Sequence, residues 1–260
     1  MWTGPACTTV ARVTAVFVHG VLETRIVWDA VREGLQQDSV AVSLPGFGAP
    51  LPDGFGATKD DYAEWLAAEV DRLDGPVDLV GHSFGGQLCL RLVTGLGIRP
   101  RSWAVDLANV FHRRYVWHRT ARIWQTPGAG EESLARVRAD GRNGPSRGEA
   151  RLEQLGFPSD AAREMSVAHD RTMSECILRI YRSAQPNLRA EWRIEAGVGT
   201  IAPGLVLHAA ADPFGDESMA DEVGAELGAA KVRLDDLCHS WMLEDPERVG
   251  AILERFWASL

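Results

Sequence analysis

Lysine is almost missing from this chain. Of 27 basic residues only Lys59 and Lys231 are lysine. The arginine excess reads as genome composition rather than as a binding surface. Acidic residues outnumber basic ones, 36 to 27, for a formal net charge of -9. That balance excludes a nucleic-acid backbone as a partner on bulk electrostatics. Cysteine is scarce and scattered, at Cys7, Cys89, Cys176 and Cys238, with no CxxC pair. Structural zinc needs closely spaced ligand pairs, so no metal site is expected. Reduced thiols of a cytoplasmic protein are the expected state. No apolar run reaches the roughly 20 residues that cross a bilayer, so no membrane partner is expected. The N-terminal stretch lacks a basic segment followed by a long apolar one, so no export is expected either. No internal repeat is present.

What remains is a 260-residue chain with 45% hydrophobic residues, enough for one large domain or a domain with an insertion. Short apolar, β-branched runs recur: "RVTAVFVHG", "SVAVSLPGFG", "PVDLVGH", "SWAVDLA", "GLVLHAA" and "AKVRLDDL". Each reads as a buried strand. Between them lie segments of helical spacing. They include Ile26 to Leu35, "GGQLCLRLVTGL", "DESMADEVGAEL" and "DPERVGAILERFWASL". "TKDDYAEWLAAEVDRL" places Tyr62, Trp65, Leu66, Val70 and Leu73 on one side, with Thr58 in the N-cap region. Strand and helix in alternation predict an α/β fold, a parallel sheet with helices on both faces. Residues 109–199 break the pattern: rich in Arg and Trp, helical, without a clear strand. They read as a helical cap inserted in a core formed by residues 1–108 and 200–260. The polar, glycine-rich "DGRNGPSRGEA" reads as a mobile loop inside it.

One stretch carries a chemical signal. "VDLVGHSFGGQL" sets Ser83 in a G-x-S-x-G pattern where a strand gives way to a helix. Such a tight turn tolerates only small neighbours and lifts the hydroxyl above the sheet edge. An incidental serine in a strand–helix turn is the plain alternative. A serine needs a base and an acid to become a nucleophile. His239, in "CHSWMLEDPERV" after the last strand, is the candidate base. His82 adjoins the serine, but its side chain is expected to point away. His112, His118 and His169 fall in the cap as surface or pocket polar groups, and His208 within a strand as a core residue. Asp212, after a strand in "LHAAADPFGDE", is the candidate acid, with Asp106 at the end of "SWAVDLA" as the alternative. Asp216 and Asp236 are less well placed. A developing oxyanion needs backbone donors. The amides of Phe84 and of Val21, in "HGVLETRIVW", are the candidates.

Together these residues resemble the α/β-hydrolase superfamily, over nearly the whole chain. The order Ser83, Asp212, His239 is that superfamily's order of nucleophile, acid and base. The resemblance implies the α/β-hydrolase fold, with the cap inserted after the sixth-strand position. "HGVLETRIVWDAV" followed by "LPGFGAP" looks like the epoxide hydrolase and haloalkane dehalogenase branch. Those enzymes usually carry aspartate at the elbow. Ser83 removes the carboxylate that opens epoxides or displaces halide, and points to acyl chemistry. Tyr181 resembles a ring-opening tyrosine of that branch and becomes here a hydrogen-bond donor to substrate or a packed cap residue. Tyr115 is a poorer match.

The implied function is a serine hydrolase acting through an acyl-enzyme, with no cofactor. Trp117, Trp124 and Trp192, with Phe111 and Tyr115, favour an apolar or ring-bearing ester or lactone. Such residues also simply pack helices together. Three rivals stand beside it: a carbon–carbon bond hydrolase, a cofactor-independent dioxygenase using Asp106, and a catalytically silent small-molecule receptor. The sequence leaves room for a homodimer.

Overall fold

The computed structural model describes residues 12–138, 147–194 and 202–260. Cys7, most of the glycine-rich stretch and residues 195–199 of the expected cap lie outside them. All six apolar runs form strands: β1 (Thr14–Val18), β2 (Asp38–Val42), β3 (Val77–Gly81), β4 (Ser102–Val105), β5 (Gly204–Ala209) and β6 (Ala230–Leu234). They make one sheet in the order β2-β1-β3-β4-β5-β6, every neighbouring pair parallel. Parallel neighbours need crossovers, and helices supply them. All strands therefore end on one edge, where ligands of open α/β sheets collect.

The strands bury both faces, and their side chains alternate between two apolar clusters. Val16, Val18, Leu79, Trp103, Val105 and Val206 belong to one. Ala15, Phe17, Val80, Ala104, Leu205 and Leu207 belong to the other. This is the two-residue period of a strand. Each fully buried Val, Leu or Phe contributes roughly 1.5–3 kcal/mol. On the first face lie α2 (Lys59–Asp71), α3 (Phe84–Gly95) and α10 (Glu217–Leu227). On the second lie α1 (Asp29–Glu33), α11 (Trp241–Glu244) and α12 (Pro246–Ala258). Thr58 caps α2 as expected, in a reciprocal box with Asp61.

Between β4 and β5 the chain leaves the sheet. In this chain's own count the insertion follows the fourth strand. It contains α4 (Arg119–Gln125), α5 (Ala129–Arg138), α6 (Arg147–Glu153), α7 (Ser159–Ala168), α8 (Arg171–Ser183) and α9 (Leu188–Glu191). No strand is assigned there among the described residues. Helix α8 faces the first cluster through Met173, Ile177, Ile180 and Tyr181. Helices α6 and α7 join the second through Leu152, Ala162 and Met165. Among the described residues no helix is long and apolar enough to cross a membrane.

Candidate active site

Strand β3 ends at Gly81 and helix α3 begins at Phe84, so the turn between them holds only His82 and Ser83. Ser83 takes φ 52° and ψ -121°, a conformation that side-chain-bearing residues rarely adopt. Such strain costs about 1–3 kcal/mol and persists only where the surroundings enforce it. The surroundings here are two close backbone approaches. A Cβ on Gly81 would lie 2.6 Å from the Gly85 carbonyl oxygen and the Gly86 Cα, and one on Gly85 would run into the Val18 carbonyl. Glycine at both positions lets α3 start against the ends of β1 and β3. Ser83 is thereby carried to the C-terminal edge of the sheet, at a helix start whose first amides lack intrahelical acceptors.

Asp212 follows β5 and His239 follows β6, neighbouring strands whose ends face the same side. The Nδ1 of His239 lies 2.8 Å from Oδ2 of Asp212. The other oxygen, Oδ1, accepts the Phe214 amide at 2.8 Å, so the carboxylate is held at both ends. Both residues are buried. Asp106, the alternative acid, is committed elsewhere. Its Oδ1 accepts the Ser83 amide at 2.6 Å, and its Oδ2 lies 2.5 Å from Nδ1 of His82 and accepts the Trp241 indole N–H at 2.8 Å. Asp216 and Asp236 serve as a cap of α10 and as a partner of Arg248.

The sequence reading missed the role of His82. Its ring is fully buried between Asp106 and Glu23, and stacks 4.5 Å from the ring of His239. Nε2 makes an ion contact of 3.1 Å with Oε1 of Glu23, without the alignment of a hydrogen bond. Glu23 Oε2 accepts the Gly20 amide at 2.8 Å. Burial alone would push His82 down, but Asp106 and Glu23 more than offset it and hold the imidazole well above its usual range. Burial likewise raises both carboxylates, and the neighbouring groups, His82 foremost and His239 with it, reverse this and leave each below its usual value. Glu23, His82 and Asp106 thus form a buried carboxylate–imidazole–carboxylate array. No motif in the sequence signals Glu23. The nearby His19 is held neutral by burial, with Nδ1 on the Gly20 carbonyl and Nε2 accepting the Leu44 amide.

Glu23, His82 and His239 bring ligand-type atoms within 4.8 Å of one another, the one such grouping among the described residues. Within it, Nδ1 of His82 is taken by Asp106 and Nε2 faces Glu23.

Ser83 and His239 open onto a cavity of about 300 Å³. Val21 lines it beside Ser83, as does Leu22, whose φ of 64° shapes the same loop. Phe84 is the first residue of α3, next to Ser83, and its ring packs on Tyr62. Of the six aromatic residues expected at the wall, Tyr115, Trp117, Trp124 and Tyr181 line the cavity. Tyr181 packs edge-on against Trp117 and Trp124, at 5.3 and 4.9 Å between ring centroids. Its phenol is fully buried, and burial pushes it up. Phe214 adds a wall against His239 at 5.0 Å. His118 faces the cavity too, packed 4.6 Å from Phe214, and burial lowers it to about 4.

Two expected wall residues do not reach the cavity. Trp192 is buried with its indole donating to Asp60, 6.1 Å from the core residue Phe111. Of the remaining histidines, His112 pairs with Glu222 and His169 with Ser174, both away from the cavity. His208 is only half-buried on β5, 3.7 Å from Glu217, rather than a core residue.

Comparison with known proteins agrees with this fold. Over the whole fold the chain is similar to a thermophilic esterase from Thermogutta terrifontis solved with malate bound. The two share 19% identity and a TM-score of 0.70, over 95% of this chain and 90% of that one. It is also similar to an epoxide hydrolase from Bacillus megaterium, at 13% identity and a TM-score of 0.70 over 96% and 95%. A stretch of 81 residues is 35% identical to a Haemophilus influenzae protein described as a 2-succinyl-6-hydroxy-2,4-cyclohexadiene-1-carboxylate synthase, over 30% of this chain and 32% of that protein. The chain spans a third or less of the length of the curated relatives it matches. The model of the alpha/beta hydrolase family matches residues 15–252, and the chain belongs to that family.

Proposed function

We propose that the chain is a serine hydrolase that cleaves an ester or lactone of a medium-sized hydrophobic, ring-bearing molecule. The observation that carries this reading is the strained elbow serine sharing one cavity with a histidine already paired to Asp212. With Nδ1 of His239 on Asp212, Nε2 is the nitrogen left to take the Ser83 proton. Ser83 Oγ attacks the substrate carbonyl, and the amides of Phe84 and Val21 receive the oxyanion. His239 returns its proton to the leaving alcohol, leaving an acyl-Ser83 ester. Water then gives a proton to His239 and its oxygen to the acyl carbon, and His239 passes that proton to Ser83 Oγ as the acid departs. No cofactor enters these steps. The insertion acts as a cap, with Tyr115, Trp117, Trp124 and Tyr181 around the substrate's ring. A serine in place of a carboxylate at the elbow supports acyl chemistry over epoxide opening.

A relative named as a synthase favours a second reading, carbon–carbon chemistry at the same serine. A panel of p-nitrophenyl esters, lactones, a diketone and an epoxide separates the two. The proposal expects ester or lactone turnover that Ser83→Ala abolishes. Turnover confined to the diketone or the epoxide would overturn it.

A further inference from the structure

We propose that Glu23, His82 and Asp106 are positioning residues: a buried ion triad that locks the oxyanion loop against the nucleophile turn. The inference rests on the reading of Ser83 as nucleophile and of the loop after β1 as an oxyanion donor.

The triad connects segments that the chain keeps far apart. Glu23 holds the oxyanion loop through the Gly20 amide at 2.8 Å. Asp106, at the end of β4, holds the nucleophile turn through the Ser83 amide at 2.6 Å and the α11 segment through Trp241 at 2.8 Å. His82 joins the two carboxylates, at 2.5 Å to Asp106 and 3.1 Å to Glu23. Four elements around the reacting atoms are thus tied through one imidazole. The Gly20 amide, being taken by Glu23, is withdrawn from the oxyanion site. That leaves the amides that follow it in the loop.

Charge fixes the protonation state. Glu23, His82 and Asp106 are 1%, 0% and 2% exposed, so solvent cannot screen them. A neutral His82 has a single N–H and could serve only one carboxylate, leaving the other as an uncompensated buried charge. The imidazolium pairs with both, through the 2.5 Å contact to Asp106 and the 3.1 Å ion contact to Glu23. The groups facing His82 are Glu23 from the loop after β1, Asp106 from β4, His239 from the loop after β6, Trp241 from α11 and His19 from the end of β1. Of these only the two carboxylates are anionic. Burying three charges does not stabilise a fold relative to apolar packing. What the array supplies is a fixed geometry for the amides that surround the oxyanion. Misplacement there by about 1 Å costs roughly 100-fold in rate.

Two measurements test this. The first uses the unsubstituted protein. Nitrogen-15 spectra of the histidine rings should show both His82 nitrogens protonated at pH 7, in the parent and in Ser83→Ala alike. A neutral His82 at pH 7 overturns the proposal. The second uses Glu23→Gln, Asp106→Asn and the double variant on the best ester. Each single variant is expected to lower kcat about 10- to 100-fold with KM changed less than about threefold, and the double to be no worse than the poorer single. With one carboxylate gone the His82 proton is held less tightly. Activity of the single variants should therefore fall on the alkaline side at lower pH than in the parent. Folded variants with the parent's kcat and pH profile contradict the inference, as do losses that simply multiply. Failure of the Ser83 reading looks different: Ser83→Ala then keeps full turnover, while the nitrogen-15 spectra still decide the state of His82.

Discussion

His239 points Nδ1 at Asp212 across 2.8 Å, although a second buried carboxylate, Asp106, sits against His82, whose ring lies 4.5 Å from that of His239. Side-chain engagement distinguishes two carboxylates that strand order alone did not: Asp106 already serves His82, Ser83 and Trp241.

The two carboxylates should therefore fail differently. Asp212→Asn presents the wrong partner to the His239 ring and should lower kcat about 10⁴-fold with little change in KM. Asp106→Asn should lose only about 10- to 100-fold, through the geometry of the turn. Steady-state ester hydrolysis by both variants checks the ranking. A more severe loss in Asp106→Asn would make Asp106 the acid.

The elbow predicts a stability effect that is independent of chemistry. Gly85→Ala forces a methyl group against the Val18 carbonyl. Overpacking of this kind costs about 1–3 kcal/mol or more, a melting temperature lower by about 5–10 °C. Ser83→Gly should move the other way, since it relieves the positive φ at Ser83. Thermal melts of the two variants against the parent test both signs.

Much of this architecture was legible in the sequence, for identifiable reasons. A buried parallel strand needs a continuous apolar run, so β1 to β6 were readable one by one. The elbow was readable because Gly81 and Gly85 answer a local steric demand. His239 and Asp212 stand directly after strands, where the sheet edge must bring them together. Glu23 and His82 were hidden for the opposite reason. Their pairing depends on how the ends of β1, β3 and β4 register, and a histidine beside the nucleophile carries no mark of where its ring turns. The aromatic residues of the insertion show the same limit. Trp124 and Trp192 look alike in sequence, and only packing sends one to the cavity and the other to Asp60.

Histidine burial sets an acid limit. His118 and His169 are each lowered to about 4 by burial, against 6.5 when unfolded. Between these values the unfolded chain binds protons that the folded chain refuses, so stability falls as pH drops from 6.5 toward 4. Glu23 and Asp106 act at the lower end of the range, their contribution present above the unfolded carboxylate values and lost as pH falls through the depressed ones. Urea midpoints at pH 7, 6, 5 and 4.5 should decline. His169→Gln, remote from the cavity, should flatten the slope between pH 6.5 and 5. An unchanged slope would mean that His169 titrates normally.

The cavity wall predicts selectivity. Trp124→Ala removes a ring that packs on Tyr181, and should lower kcat/KM about tenfold or more for aromatic esters while sparing acetate esters. Equal losses for both substrates would remove Trp124 from substrate contact.

The central claim is that Ser83 becomes covalently acylated, and intact-protein mass after a fluorophosphonate reports on it most directly. The account predicts a single adduct on the parent, mapped by peptide mass to Ser83, no adduct on Ser83→Ala, and ester turnover lost in step with labelling. Stoichiometric labelling elsewhere, or undiminished turnover by Ser83→Ala, would contradict it.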